Sequence, residues 1–155
     1  MKLIPLTQNK FATVDDEDFD YLNQWKWYCN NYGYAVRDIR VTSKIKKIIL
    51  MHRVINKTPL EFETDHIDRN PLNNQKKNLR TVTSSQNKMN KGKRKDNTSG
   101  YKGITWNKKA HKWQAQIELN GKGIYLGLYS NIQGAWLAHE WGEKVYFKEF
   151  RSNYL

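Results

Sequence analysis

The chain has 155 residues, of which 38% are hydrophobic and 27% charged, with a formal net charge of +12 and a mean hydropathy of -0.89. So few apolar side chains favour small cores over one large core, which bounds the chain to one ordinary domain or two very small ones, and the single cysteine, Cys29, excludes a disulfide framework and a cysteine-based zinc site. The opening MKLIPLTQNK lacks a signal-peptide apolar region and no run approaches a bilayer span, so a soluble protein of a reducing cytoplasm, without a membrane partner, is expected.

In chain order, the acidic cluster Asp15, Asp16, Glu17 and Asp18 precedes Phe19, Leu22 and Trp25, spaced for one face of a short helix. Acids in a first turn complement the helix dipole, and Asp15 is placed to be the N-cap. WKWYCNNYGYAVRDIRV alternates aromatic and polar residues around Asn30-Asn31, which predicts strands and a turn. IKKIILMHRVI is rich in β-branched residues and reads as a further strand, with His52 a structural residue on it. Arg53 fits either a phosphate contact or solvent.

DHIDRNPLNNQKKNLRTVTSSQN, from Asp65 to Asn87, is almost wholly polar and carries one histidine among five asparagines. A strand ending at His66, a loop, a returning strand through Leu79 and Val82, and a helix capped by Ser84 or Ser85 would bring Asp65, His66 and Asn87 together. Those side chains suit phosphodiester hydrolysis. Asp65 and Asn87 supply hard oxygen ligands for Mg²⁺, which keeps several waters and takes its remaining ligands from phosphate. His66, with an ordinary pKa near neutrality, is the candidate general base, and Asn78 the candidate for orienting its ring. Arg80 shares the ambiguity of Arg53. The bland alternative is a solvated loop, since asparagine is also a turn former.

Residues 88–112 hold nine basic residues and one acidic residue, a net +8. A localised basic stretch without an apolar face points to nucleic acid rather than to anionic membrane. KMNKGKRKDNTS within it has a linker's composition.

GYKGITWNKKA, HKWQAQIEL and GIYLGLYSN are then three strand-length segments, and Asn120-Gly121 is a strong hairpin signal. In the middle one Trp113, Ala115, Ile117 and Leu119 share a face opposite Lys112, Gln114, Gln116 and Glu118. From Asn131 the period turns helical, with Ile132, Ala135, Trp136, His139 and Gly142 in one stripe and Leu137, Trp141 and Val145 in a second. Small Ala135 and Gly142 predict a close approach of this helix to the sheet, and His111 and His139 read as turn and core residues.

Met51-His52-Arg53 followed by D-H-x11-N-x8-N resembles the HNH family of homing-type endonucleases, and IPLTQNKFATVDDEDFDYLNQWKWY resembles the leader of phage-type members. The resemblance implies a ββα-metal fold, Asp65 and Asn87 as metal ligands, His66 as general base and Asn78 as its orienting residue. It differs from those proteins at Asp68-Arg69 and Asn73-Asn74-Gln75, in the connecting loop. SGYKGITW, KWQAQI, YLGLYS and the helix from Asn131 are similar to the AP2 DNA-binding domain, which lays a three-stranded sheet in the major groove. That likeness implies Lys102, Gln114, Gln116 and Tyr125 on the DNA face. Lys108, Lys109 and Lys112 are phosphate contacts by their chemistry. The plant-type domain uses arginines where this chain has Thr105 and Glu118, so its sequence preference does not carry over.

The resulting expectation is an α+β protein: an HNH nuclease domain with an N-terminal extension over residues 1–90, a basic linker over 91–99 and an AP2-like DNA-binding domain over 100–155. It would use Mg²⁺, with Mn²⁺ able to substitute. As a monomer it would nick double-stranded DNA, in the cytoplasm of a bacterial or phage-infected cell. The alternatives are a non-catalytic DNA-binding regulator and an RNA-binding protein.

Overall fold

The computed structural model describes residues 1–151 and divides into two compact units, one ending at Thr83 and one beginning at Ser84. The first unit opens with an antiparallel hairpin, β1 (Lys2–Pro5) and β2 (Phe11–Val14), with Lys2 opposite Val14. Helix α1 (Asp16–Leu22) follows, with three acids in its first turn as the sequence predicts. Strands β3 (Tyr28–Cys29), β4 (Ala35–Arg40) and β5 (Lys46–Leu50) form an antiparallel sheet in that order.

The predicted strand IKKIILMHRVI ends early. Leu50 is the last strand residue and Met51–Asn56 form helix α2. Met51 and Ile55, four residues apart, are both buried; a short apolar run serves either element, and here packing overrides β propensity. Strands β6 (Glu63–His66) and β7 (Leu79–Val82) form a two-stranded ribbon, linked by a loop ending in a 3₁₀ turn at Lys76–Asn78. One core joins the hairpin, α1, α2 and β7 through Ile4, Ala12, Val14, Leu22, Met51, Ile55 and Leu79. Trp27 adds its ring to this core, and its indole N–H donates to the Leu22 carbonyl at 2.8 Å.

The second unit starts with helix α3 (Ser84–Asn90). Strands β8 (Ile104–Asn107), β9 (Lys112–Leu119) and β10 (Lys122–Tyr129) form an antiparallel sheet with β9 in the centre, and helix α4 (Ile132–Phe147) packs on it. Asn120 and Gly121, both at positive φ, make the predicted hairpin turn. Asn131 caps α4 by accepting from the Gly134 N–H at 2.8 Å.

The close approach expected of α4 is present: a Cβ at Gly142 would lie 2.7 Å from Leu126 Cδ1. Gly103 is equally constrained, with a positive φ and a notional Cβ 2.4 Å from both the Gln116 carbonyl and the His139 ring.

The two compact units divide before α3. Met89 is buried with Ile117 and Phe147 in a core of the second unit, so α3 belongs to that unit. Residues 91–99, the expected linker, contain no helix or strand. Among the described residues no helix is long and apolar enough to cross a membrane.

Candidate functional site

The β6–β7 ribbon sets Asp65 opposite Arg80 and His66 opposite Leu79. Both Asp65 and His66 are buried, which costs solvation unless partners compensate. Asp65 Oδ2 accepts from Arg80 Nε at 2.8 Å and lies 2.7 Å from Nη2. Arg80 thus stands in an ion pair inside the fold rather than in solvent.

The His66 ring lies 5.1 Å from the His52 ring, edge-on, and 5.9 Å from Tyr34. Its Nε2 is 3.2 Å from Asn74 Oδ1. An amide oxygen only accepts, so Nε2 carries the proton and the basic lone pair lies on Nδ1. Burial lowers the His66 pKa below the ordinary imidazole value, opposed by the Asn74 bond and by Asp68 and Asp65. The ring is therefore neutral at pH 7, the state a general base requires. His52 is pushed lower, to about 3, by burial and by the neighbouring His66 and Arg53.

The Asn78 side chain bonds within the loop rather than to the His66 ring. Its Oδ1 accepts from the Asp68 N–H at 3.0 Å, and its Nδ2 donates to Asp68 Oδ1 at 2.9 Å and to the Asn73 carbonyl at 2.8 Å. These bonds, with Ile67 N–H to the Asn78 carbonyl at 2.9 Å, clasp the two ends of the loop together. The Asp68 carboxylate is the loop's hub: burial alone would raise its pKa, but bonds from Asn70, Asn73 and Asn78 hold it below the ordinary value. Asn70 is a turn residue, accepting from Leu72 N–H at 3.1 Å. Asn74 is not: it is fully buried, and its Oδ1 faces the His66 ring. Composition alone gave no signal separating it from its four fellow asparagines.

Asn87 lies on α3, in the second unit. There α3 is fixed by Met89 in the core, by Lys102 Nζ donating to the Met89 carbonyl at 2.7 Å, and by Ser85 Oγ accepting from Asn120 N–H at 3.0 Å.

Two of the predicted DNA contacts, Arg53 and Lys102, have partners within the fold. Arg53 donates to the carbonyls of Phe62, Thr58 and Pro59 at 3.0, 3.1 and 2.7 Å, so its planar fork braces the backbone between α2 and β6. Lys102 turns inward, 3.0 Å from Glu143 Oε1, and Glu143 is wholly buried. Burial raises the Glu143 pKa and Lys102 opposes that rise. The other predicted contacts of the second unit lie on or beside its sheet. Thr105 pairs with Gln114, and Gln116 with Tyr125, on one sheet face with Lys112. Gln114 is half-buried, accepting from Asn107 at 3.0 Å and donating to Gln116 at 3.2 Å. Lys108, Lys109, Lys112, Gln116 and Tyr125 are exposed. Lys88, Lys91, Lys93 and Arg94 line an open cleft of about 750 Å³ beside Gln116, a basic surface that sequence spacing had not placed.

Among the described residues no three His, Cys, Asp or Glu side chains converge to hold a metal. The donor types that the pattern supplies, one carboxylate and one carboxamide oxygen, fit a hard cation that keeps its waters rather than zinc. The buried Asp65 carboxylate is the hard oxygen donor of that pair, its Oδ2 held by Arg80.

Residues 57–89 match the family model described as HNH endonuclease. The chain is 32% identical over 111 residues to a protein named "Uncharacterized HNH endonuclease L560" from Acanthamoeba polyphaga mimivirus, covering 72% of this chain and 57% of that protein. It is 41% identical over 64 residues to "Protein 3.8" of Escherichia phage T7, covering 41% of this chain and 53% of that one. The chain thus spans little more than half the length of these relatives. No solved structure matches it significantly.

Proposed function

We propose that this chain is an HNH-type endonuclease that hydrolyses DNA phosphodiester bonds with a divalent cation, Mg²⁺ or Mn²⁺. The observation that carries this reading is the burial of His66 and Asp65 side by side on β6, inside the segment that matches the HNH endonuclease family. His66 Nδ1 takes a proton from water as the water oxygen bonds to phosphorus and the P–O3′ bond breaks. A bound cation supplies charge neutralisation at the phosphate and at the departing oxygen. Asp65 and Asn87 are the proposed ligands, and Asn78 serves by clasping the loop. Attack by one base on one phosphate makes nicking the expected product of a monomer.

The second unit is proposed as a reader of double-stranded DNA, AP2-like in its three antiparallel strands and single helix. Gln114, Gln116 and Tyr125 would meet base edges, and Lys108, Lys109 and Lys112 phosphates. The exposure of Lys112, Gln116 and Tyr125 on one face supports this reading. The basic cleft would follow the backbone.

Incubating supercoiled plasmid with the wild-type chain and Mg²⁺ or Mn²⁺ should convert it to the nicked form. EDTA, Asp65→Ala or Asn87→Ala should each abolish conversion. Tight, salt-sensitive binding without any strand cleavage under these conditions would replace this reading with a DNA-binding regulator.

A further inference from the structure

Asn74 is wholly buried, and its amide is oriented by a bond from Nδ2 to the Leu72 carbonyl at 3.3 Å, which turns Oδ1 to the His66 ring. The backbone around it is tied to β2 by a parallel bridge. Thr13 N–H donates to the Leu72 carbonyl and Asn74 N–H to the Thr13 carbonyl, both at 2.8 Å. The next residues are tied one step further along. Asp15 Oδ2 accepts from the Lys76 N–H at 2.8 Å and Oδ1 from Gln75 Nε2 at 3.0 Å. Lys76 Nζ then pairs with Glu17 at 2.6 Å and Asp18 at 3.4 Å.

Asp15 stands at the N-cap of α1 yet makes no side-chain bond to that helix. Its carboxylate is committed to a loop some sixty residues away. The hairpin that carries Thr13 is rigid because Ile4, Ala12 and Val14 are in the core, and Leu72 packs against the same core. The acidic run that reads as a helix start therefore has a second use, holding residues 72–76.

We propose that the N-terminal hairpin and Asp15 form a splint for the catalytic loop, in which Asn74 is the positioning residue that anchors the His66 ring through Nε2 and keeps Nδ1 as the basic nitrogen. This rests on the hydrolytic reading for its effect on rate, but not for its effect on the ring. Two substitutions of Asn74 separate the hydrogen bond from mere filling of space. Asn74→Leu keeps the volume and loses the acceptor, whereas Asn74→Asp keeps an oxygen acceptor.

The test measures, on the full chain, hydrogen exchange of the His66 ring N–H by ¹⁵N-labelled NMR, together with single-turnover cleavage and DNA Kd. Asn74→Leu should speed ring N–H exchange and lower the cleavage rate by roughly 10- to 100-fold, the usual effect of losing an orienting partner, while Kd stays within about twofold. Asn74→Asp should recover most of the rate. Asp15→Ala, partly exposed and remote from the ring, should give a smaller loss in the same two readouts. Wild-type exchange in Asn74→Leu, or wild-type rate and exchange in Asp15→Ala, would overturn the proposal. If the wild-type chain cleaves no DNA, the hydrolytic reading fails and the exchange measurement still decides the splint.

Discussion

Both units bury polar chemistry, but they do so in different ways. The first packs amides and imidazoles around a single ion pair: Asn74, Asn78, His52 and His66 are buried beside Asp65 and its partner Arg80. The second buries charge outright. Glu143 is fully inaccessible and holds Lys102 at 3.0 Å, with His139 4.0 Å away, and Arg151 pairs with Glu140. Neutral groups in the first unit can change protonation without breaking a charge pair. A buried charge pair resists any change of protonation and so serves rigidity. That contrast fits the proposed placement of the general base in the first unit.

The contrast breaks most visibly at Lys102. Lys102→Ala removes the partner of a buried carboxylate and should destabilise the second unit by about 3–5 kcal/mol, read by urea unfolding. Its effect on DNA affinity in the folded protein should be smaller than that of Lys112→Ala. An undisturbed unfolding curve with a large loss of DNA affinity would return Lys102 to the DNA face.

Acid sharpens the comparison from the other side. Unfolded histidine takes a proton below about pH 6.5, but buried His52 does not until about pH 3. Its folded pKa is depressed, so the unfolded state binds more protons in that window and stability falls as pH drops through it. Between pH 7 and 5 this contributes about 2 kcal/mol of lost stability. In His52→Phe the pH dependence of the first unit's unfolding should shrink by that amount. His139, lowered to about 4 by burial and by Lys102 and Arg151, acts in the same direction in the second unit, but there the raised pKa of Glu143 opposes it.

The smallest effect is at the surface. Lys112→Ala should weaken DNA binding uniformly across sequences and reduce the slope of log K against log salt by about one, the signature of one lost phosphate contact. An unchanged slope would remove Lys112 from the interface.

The second unit was the more legible in sequence, for a physical reason. Alternation along Trp113–Leu119, the Asn120-Gly121 turn and the helical period from Asn131 each depend on neighbours within a few residues. The candidate site was legible in its residue types and less so in its wiring. Asp65 and His66 are next to each other on β6 as the motif requires. Asn74 and Asn78 are chemically identical, and only the long-range bridge to Thr13 decides which reaches the ring. The start of α2 at Met51 and the burial of Met89 with Ile117 and Phe147 are likewise set by distant packing partners. Lys102 likewise reaches the Met89 carbonyl through a contact that no local pattern announces.

The central claim is that His66 is the base of a hydrolytic site, and one comparison tests it most directly: single-turnover cleavage of plasmid DNA by the wild type and by His66→Ala at saturating Mg²⁺, with DNA Kd measured on both. The account predicts a rate loss of about 10²- to 10⁴-fold, the range for removal of a general base, with Kd unchanged within about twofold. Equal rates for the two proteins would contradict it.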